Sequence, residues 1–302
     1  MSGLRVLYLG LWGGFSARPL LALLAAGMEV CGVVVPAASG DQRPIHPLLP
    51  TPSPSTLPIV NPRLNPTVVH LAWQRQIPVW EVGRPGAPET LATLGGLRPD
   101  VGCVACFSLR LLPALLALPP LGFLNVHPSL LPAYRGPAPL FWAFRQGEIT
   151  TGVTVHFMDE GLDTGDVAMQ ASIPLPDGIS GPAAEAQCAT AGGELLVQTL
   201  QALQQGTLTR HPQATGGSYY PWPAAADFEM STTWPARRAF NFMRGTAEWG
   251  PVYPVEVGGA WLTLEAAVSF TADMRLDAPR LDWGDDVWIQ FSPGVLRARQ
   301  RR

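Results

Sequence analysis

Asn125 and His127 are the residues whose types and spacing could most directly do chemistry. They stand two apart in Gly122-Phe-Leu-Asn-Val-His-Pro128, and in an extended segment residues i and i+2 project from the same face. Both can therefore act on one atom. An uncharged amide donor beside an imidazole suits a reaction in which an oxyanion develops and a proton moves. A histidine between an apolar run and a proline also has an ordinary structural reading, which the pair alone leaves open. Downstream, Asp163 lies in Leu162-Asp-Thr-Gly165, where a carboxylate can serve a site or cap its own turn.

Other chemistries are narrowed by composition. All 20 basic residues are Arg, which removes Schiff-base, P-loop and other lysine chemistry and favours bidentate contacts with carboxylates or phosphates. The histidines at 46, 70, 127, 156 and 211 show no ligand spacing with cysteines or carboxylates, so no metal is expected. His156 alternates with Val155 and Phe157 on an expected strand and reads as facing a polar surface or a site rim. Cys103 and Cys106 form a C-x-x-C within the apolar run 101–107, which reads as a buried strand rather than a redox or zinc site.

The four cysteines make no disulfide framework and point to a reducing compartment. The first residues lead into a strand rather than a secretory leader, and the longest apolar stretch, 111–124, is broken by Pro113, Pro119 and Pro120. A cytoplasmic protein with no membrane partner is expected. The net charge of -3 gives no general electrostatic case for nucleic acid.

The elements that must position these side chains are legible in outline. With 47% hydrophobic and 14% charged residues the chain is globular, and 302 residues suggest two domains. Leu4-Arg-Val-Leu-Tyr-Leu9 reads as a strand, a helix follows from Ser16 as its N-cap to Gly27, and 30–35 is the next strand. This β-α-β unit, continued by a helix at 67–76, a strand at 77–80, a helix at 88–97 and a strand at 101–106, predicts a parallel sheet with right-handed crossovers. The glycines of Gly10-Leu-Trp-Gly-Gly14 do not fit the dinucleotide fingerprint. The segment 36–66 carries nine prolines, a density no helix or central strand tolerates, and reads as a long loop, either a surface insertion or substrate-facing. Composition shifts after about residue 205. Residues 206–302 then read as a helix at 235–244, strands at 252–257 and 260–267, and a hairpin over 287–299. The expected division is a domain at 1–205 and a small β-rich domain at 206–302.

The run Asn125-Val-His-Pro-Ser-Leu-Leu-Pro132, followed by Leu162-Asp163-Thr-Gly165, resembles the formyltransferase family, whose pattern is Asn-x-His-Pro/Gly-Ser-Leu-Leu-Pro with a downstream Leu/Ile-Asp-x-Gly. His127 and Asp163 are 36 residues apart, as that family's arrangement requires. The resemblance covers residues 1–205 well and the remainder loosely. It implies an α/β fold with a Rossmann-like catalytic domain followed by a small OB-like β-barrel, and 10-formyltetrahydrofolate as co-substrate. It implies that Asn125, His127 and Asp163 are catalytic, with Asp163 orienting and charging His127 and helping to remove the amine proton. Phe107, Ser108, Leu109 and Arg110 match the segment that walls the pterin pocket. Ser129, Leu130, Leu131 and Pro132 match the signature that lines the site, and Met158, Asp159 and Glu160 complete the same pocket.

For the acceptor amine, the layout of two domains resembles methionyl-tRNA formyltransferases and implies the amino group of methionyl initiator tRNA. Two departures keep a nucleotide-linked amino sugar open as acceptor. The loop 36–66 has only Arg43 and Arg63 where the tRNA enzymes carry a basic insertion, and Gly136-Pro-Ala-Pro-Leu-Phe-Trp142 is nearer to the amino-sugar enzymes. Residues 207–302 balance ten Arg against ten acidic residues, so they add little phosphate-neutralising charge. Arginines 297, 299, 301 and 302 read as a solvated end or an RNA-facing tail. A non-catalytic folate- or RNA-binding paralogue is the reading from another class.

Overall fold

The computed structural model describes residues 3–38, 40–41, 43–50, 66–250 and 252–301. Its elements in order are β1 (Arg5–Gly10), α1 (Gly14–Ala25), β2 (Glu29–Pro36), β3 (Ile45–Pro47), α2 (Val68–Gln74), β4 (Val79–Val82), α3 (Pro88–Gly96), β5 (Val101–Ala105), α4 (Pro113–Leu116) and β6 (Phe123–His127). There follow α5 (Pro139–Gln146), β7 (Thr150–Phe157), β8 (Val167–Pro174), α6 (Gly181–Gln204), α7 (Ala236–Thr246), β9 (Tyr253–Val257), β10 (Ala260–Thr271), β11 (Arg280–Trp283), β12 (Asp286–Gln290) and β13 (Val295–Gln300).

Eight strands form one sheet in the order β3-β4-β2-β1-β5-β6-β7-β8. Continuous apolar runs such as Val33-Val-Val35 suit its interior, because strands joined by helical crossovers are covered on both faces. Pairings β2 with β4, β1 with β2, β1 with β5 and β5 with β6 are parallel. The sheet is not parallel throughout, as the alternation of elements had implied: β3 runs antiparallel to β4, and β6 antiparallel to β7. Leu7, Leu9, Val34, Leu94, Val104 and Phe123 form a core cluster beside it. Each such buried side chain contributes about 1.5–3 kcal/mol relative to exposure.

Local details differ from expectation for identifiable reasons. Ser16 does not cap α1, which starts two residues earlier behind Gly13. Its hydroxyl, fully buried, accepts from the Leu11 amide at 2.8 Å and donates to the Ala105 carbonyl. A helix cap gave way to a tie between two strand ends. In the proline-rich segment, residues 39, 42 and 51–65 lie outside the described residues. Within the rest, Ile45–Pro47 forms an edge strand, where a proline leaves no ladder bond unmade. Helix α2 is capped by Thr67, whose hydroxyl accepts from the His70 amide.

Five antiparallel strands make the second sheet, in the order β11-β12-β13-β10-β9. Its core cluster joins Phe141, Phe144, Phe242, Tyr253, Ile289 and Leu296. By its contacts the chain divides into two compact units interleaved in sequence. One comprises 1–132, 152–171 and 186–217, the other 133–151, 172–185 and 218–302. The C-terminal arginines are not a loose tail: Arg297 lies on β13 and pairs with Asp286, and Arg301 lies 3.8 Å from Glu265, while Arg302 is outside the described residues. Among the described residues no helix is long and apolar enough to cross a membrane.

Candidate active site

The site lies within the first unit and is built on β6, β7 and the loop that follows β7. Asn125 and His127 project together at the end of β6, as their spacing required. The antiparallel register of β6 on β7 sets Asn125 opposite His156 and His127 opposite Thr154. Loop residues 158–166 then bring Asp163 to the same point. Its Oδ1 lies 3.6 Å from His127 Nδ1 and 3.7 Å from His156 Nε2, with the carboxylate side chain only 9% exposed. These are ion-pair rather than hydrogen-bond separations, and catalytic contacts commonly tighten only with substrate in place.

His156 is the residue that sequence reasoning misplaced. It sits neither at a rim nor on a polar surface: it is 2% exposed and its Nε2 lies 3.1 Å from Asn125 Nδ2. Its imidazole pKa is held well below the ordinary value, first by burial and second by the neighbouring His127. The antiparallel register of β7 would have revealed it, because that register fixes which residue faces Asn125.

Two devices hold Asp163 in place. Its backbone is left-handed, with φ of 56°, a conformation that aspartate and asparagine tolerate better than most residues. Gln213, which sequence reasoning did not single out, donates its amide at 2.8 Å to the carbonyls of both Asp163 and Gly165. Gly165 lets the loop approach β7, since a Cβ there would overlap the Phe157 carbonyl oxygen. Gly165→Ala is therefore expected to destabilise the protein by about 1–3 kcal/mol and to lower turnover by displacing Asp163. Thermal unfolding and kcat measured on the same preparation check this; an unchanged melting temperature with full activity would contradict the close packing.

The segments expected to line a pterin pocket fall into two groups. Phe107, Leu109 and Met158 pack against one apolar cluster, and Arg110 donates to the Glu160 carbonyl at 2.8 Å, so 107–110 and 158–160 are brought together. Both segments lie beyond strand ends, where open α/β sheets bind ligands. Ser108 and Glu160 are exposed, and the Asp159 carboxylate is engaged within its own loop, accepting from the Gly161 amide and the Thr164 hydroxyl. Ser129 and Leu131 are buried: the Ser129 carbonyl accepts from Thr154, and the Leu131 amide donates to the same hydroxyl. Leu130 is more than one-third exposed. Leu131 and Pro132 border a separate cleft of about 440 Å³ shared with Met169, Gln170, His211 and Gln213.

Cys103 is buried on β5, whereas Cys106 lies just past it, exposed and with φ of 54°.

Comparison with known proteins bears on the family and the fold. The family model described as formyl transferase matches residues 64–200. A methionyl-tRNA formyltransferase of Synechococcus sp. (strain JA-3-3Ab) is 44% identical over 183 residues, covering 60% of this chain and 57% of that protein. The chain thus matches little more than half the length of that relative. Another methionyl-tRNA formyltransferase, from Roseiflexus sp. (strain RS-1), is 37% identical over 303 residues, 97% of this chain and 86% of that protein. Among solved structures, an N-formyltransferase from Helicobacter canadensis in complex with folinic acid and dTDP-3-aminofucose shares the fold. Its TM-score is 0.67 at 16% identity, over 98% of this chain and 99% of that one. A relative more than one-third identical along nearly the whole chain, and a matching family model over the segment that carries Asn125, His127 and Asp163, establish that the chain belongs to the formyl transferase family.

Proposed function

We propose that the protein transfers the formyl group of 10-formyltetrahydrofolate to the amino group of methionyl initiator tRNA, in the cytoplasm. The observation that carries the chemistry is the convergence of Asn125, His127 and Asp163 on one point. Likeness to the Roseiflexus protein over 97% of this chain favours the tRNA acceptor. In this reading residues 1–205 form the catalytic domain and 206–302 the C-terminal domain, except that 206–217 pack with the first unit and 133–151 and 172–185 with the second.

Each side chain has a task that its chemistry suits. The acceptor amine attacks the formyl carbon and forms a new C–N bond, and the carbonyl oxygen gains negative charge. Asn125 donates an N–H to that oxygen, and His127 donates a second hydrogen bond from its ring. Preorganised donors of this kind are worth most where water is excluded, and His127 is 4% exposed. Asp163, whose Oδ1 lies 3.6 Å from His127 Nδ1, orients that ring and takes the proton lost by the attacking amine, directly or through water. The tetrahedral carbon then collapses, the bond to the folate nitrogen breaks, and that nitrogen accepts a proton.

The residues fit the co-substrate. A pterin is flat, with apolar faces and a hydrogen-bonding edge. In this reading Phe107, Leu109 and Met158 supply apolar walls beside the segment 158–160, which Arg110 holds through the Glu160 carbonyl. Leu131 and Pro132 border a cleft that shares Gln213 with the Asp163 loop.

A nucleotide-linked amino sugar is the second reading, favoured by Pro139-Leu-Phe-Trp142. The two separate by comparing kcat/KM for methionyl initiator tRNA with that for a panel of nucleotide-linked amino sugars. Preference for the tRNA by several orders of magnitude is expected; turnover confined to a sugar amine would overturn the acceptor and keep the site.

A further inference from the structure

His156 is not needed for the chemistry described above, yet it is the most deeply buried ionisable group at the site. Its two ring nitrogens have different partners. Nδ1 lies 2.9 Å from the Phe157 carbonyl oxygen, which can only accept, so Nδ1 carries a proton. A neutral imidazole has one N–H, so Nε2 is then a bare acceptor. Facing it at 3.1 Å is Asn125 Nδ2. An acceptor there can bind the amide N–H of Asn125 but not its carbonyl, and the carboxamide is held in one of its two flipped orientations. The 3.7 Å approach of Asp163 Oδ1 to Nε2 is longer than a hydrogen bond.

We propose that His156 is a positioning residue: its bare Nε2 accepts one N–H of Asn125, fixes the carboxamide against flipping, and leaves the other N–H to meet the formyl oxygen. This rests on the reading of Asn125 as the oxyanion donor. Burial and then His127 disfavour the imidazolium form, while Asp163, the Phe157 carbonyl and Asp159 favour it, and the net balance keeps the ring neutral. Were the ring protonated, Nε2 would become a donor, favour the opposite amide orientation and compete for Asp163. The low basicity of this histidine and the direction of the Asn125 amide are one device.

The test combines kinetics with a direct view of the ring. His156→Leu removes the acceptor and is expected to lower kcat by about 10- to 100-fold, the cost of a misaimed group, with both KM values unchanged. His156→Gln restores an acceptor oxygen and should recover most of the rate. Because His156 acts through Asn125, His156→Leu should cost almost nothing further in an Asn125→Ala background. Nitrogen-15 NMR of the wild-type histidines should show His156 neutral and protonated on Nδ1 at neutral pH. Losses that multiply in the double variant, or a proton on Nε2, overturn the proposal. If the wild-type protein transfers formyl to no amine, the proposed function fails, and the tautomer alone decides the amide orientation. If His156→Leu does not fold, His156→Gln and the tautomer decide it.

Discussion

Asp163→Asn is expected to lower kcat by about 10³-fold, within the range for loss of a positioned proton acceptor. The substitution removes charge and basicity while keeping shape. An amide cannot take the amine proton, and it no longer presents a carboxylate to His127, whose Nδ1 lies 3.6 Å away. The loop should survive. Asparagine adopts the left-handed backbone at φ of 56° as readily as aspartate, and the Gln213 bonds go to backbone carbonyls that the change does not touch. Steady-state kinetics beside a melting curve check this: a large fall in kcat with an unchanged melting temperature and unchanged folate affinity is the expected pattern. An active Asp163→Asn would remove the carboxylate from the chemistry.

Asn125→Ala is expected to cost about 10²–10³ in kcat, the usual effect of losing one oxyanion donor. It should also cost stability, in contrast to Asp163→Asn. Truncation leaves His156 Nε2 in a buried position without its 3.1 Å partner, and a buried polar group stripped of its bond costs about 1–3 kcal/mol. Folate affinity should hold, because the donor acts on charge that develops only in the transition state. Equilibrium binding of a folate, kcat and thermal unfolding on the same variant separate these effects. A fall in folate affinity equal to the fall in kcat/KM would instead make Asn125 a ground-state binding residue.

The two histidines of the site illustrate what the sequence could and could not disclose. His127 was legible because its relation to Asn125 is local: two residues on one strand share a face whatever the rest of the fold does. His156 was not, because its place depends on β7 returning antiparallel to β6, and alternation of strands and helices had suggested a parallel sheet. Gln213 was invisible for a related reason. It lies 50 residues from Asp163 and 48 from Gly165, just past the composition shift near residue 205, and its function arises from tertiary proximity alone. Gly165 was quoted as part of a motif, but its physical role, admitting the Phe157 carbonyl, follows only from the packing.

The framework of the fold was more accessible. The first β-α-β unit, the strand at 101–105 and the helix at 236–246 follow from apolar periodicity, which is itself a local property. Short edge strands were not. β3 and β11 have three and four residues, too few for a pattern, and their pairing is set by the strands they join. Ser16 shows the converse error. A serine before an apolar stretch is a sound helix cap by local rules, yet the Ala105 carbonyl, 89 residues away, claims its hydroxyl.

The central claim is that this centre moves a formyl group from folate to an amine. Its most direct test is to supply 10-formyltetrahydrofolate labelled in the formyl carbon, with methionyl initiator tRNA, to excess enzyme and to follow the label through one turnover. The account predicts label on the methionine nitrogen in step with release of tetrahydrofolate, and almost none within the same time for Asp163→Asn. Label that stays on the folate, leaves as free formate, or reaches the amine equally fast in Asp163→Asn would contradict it.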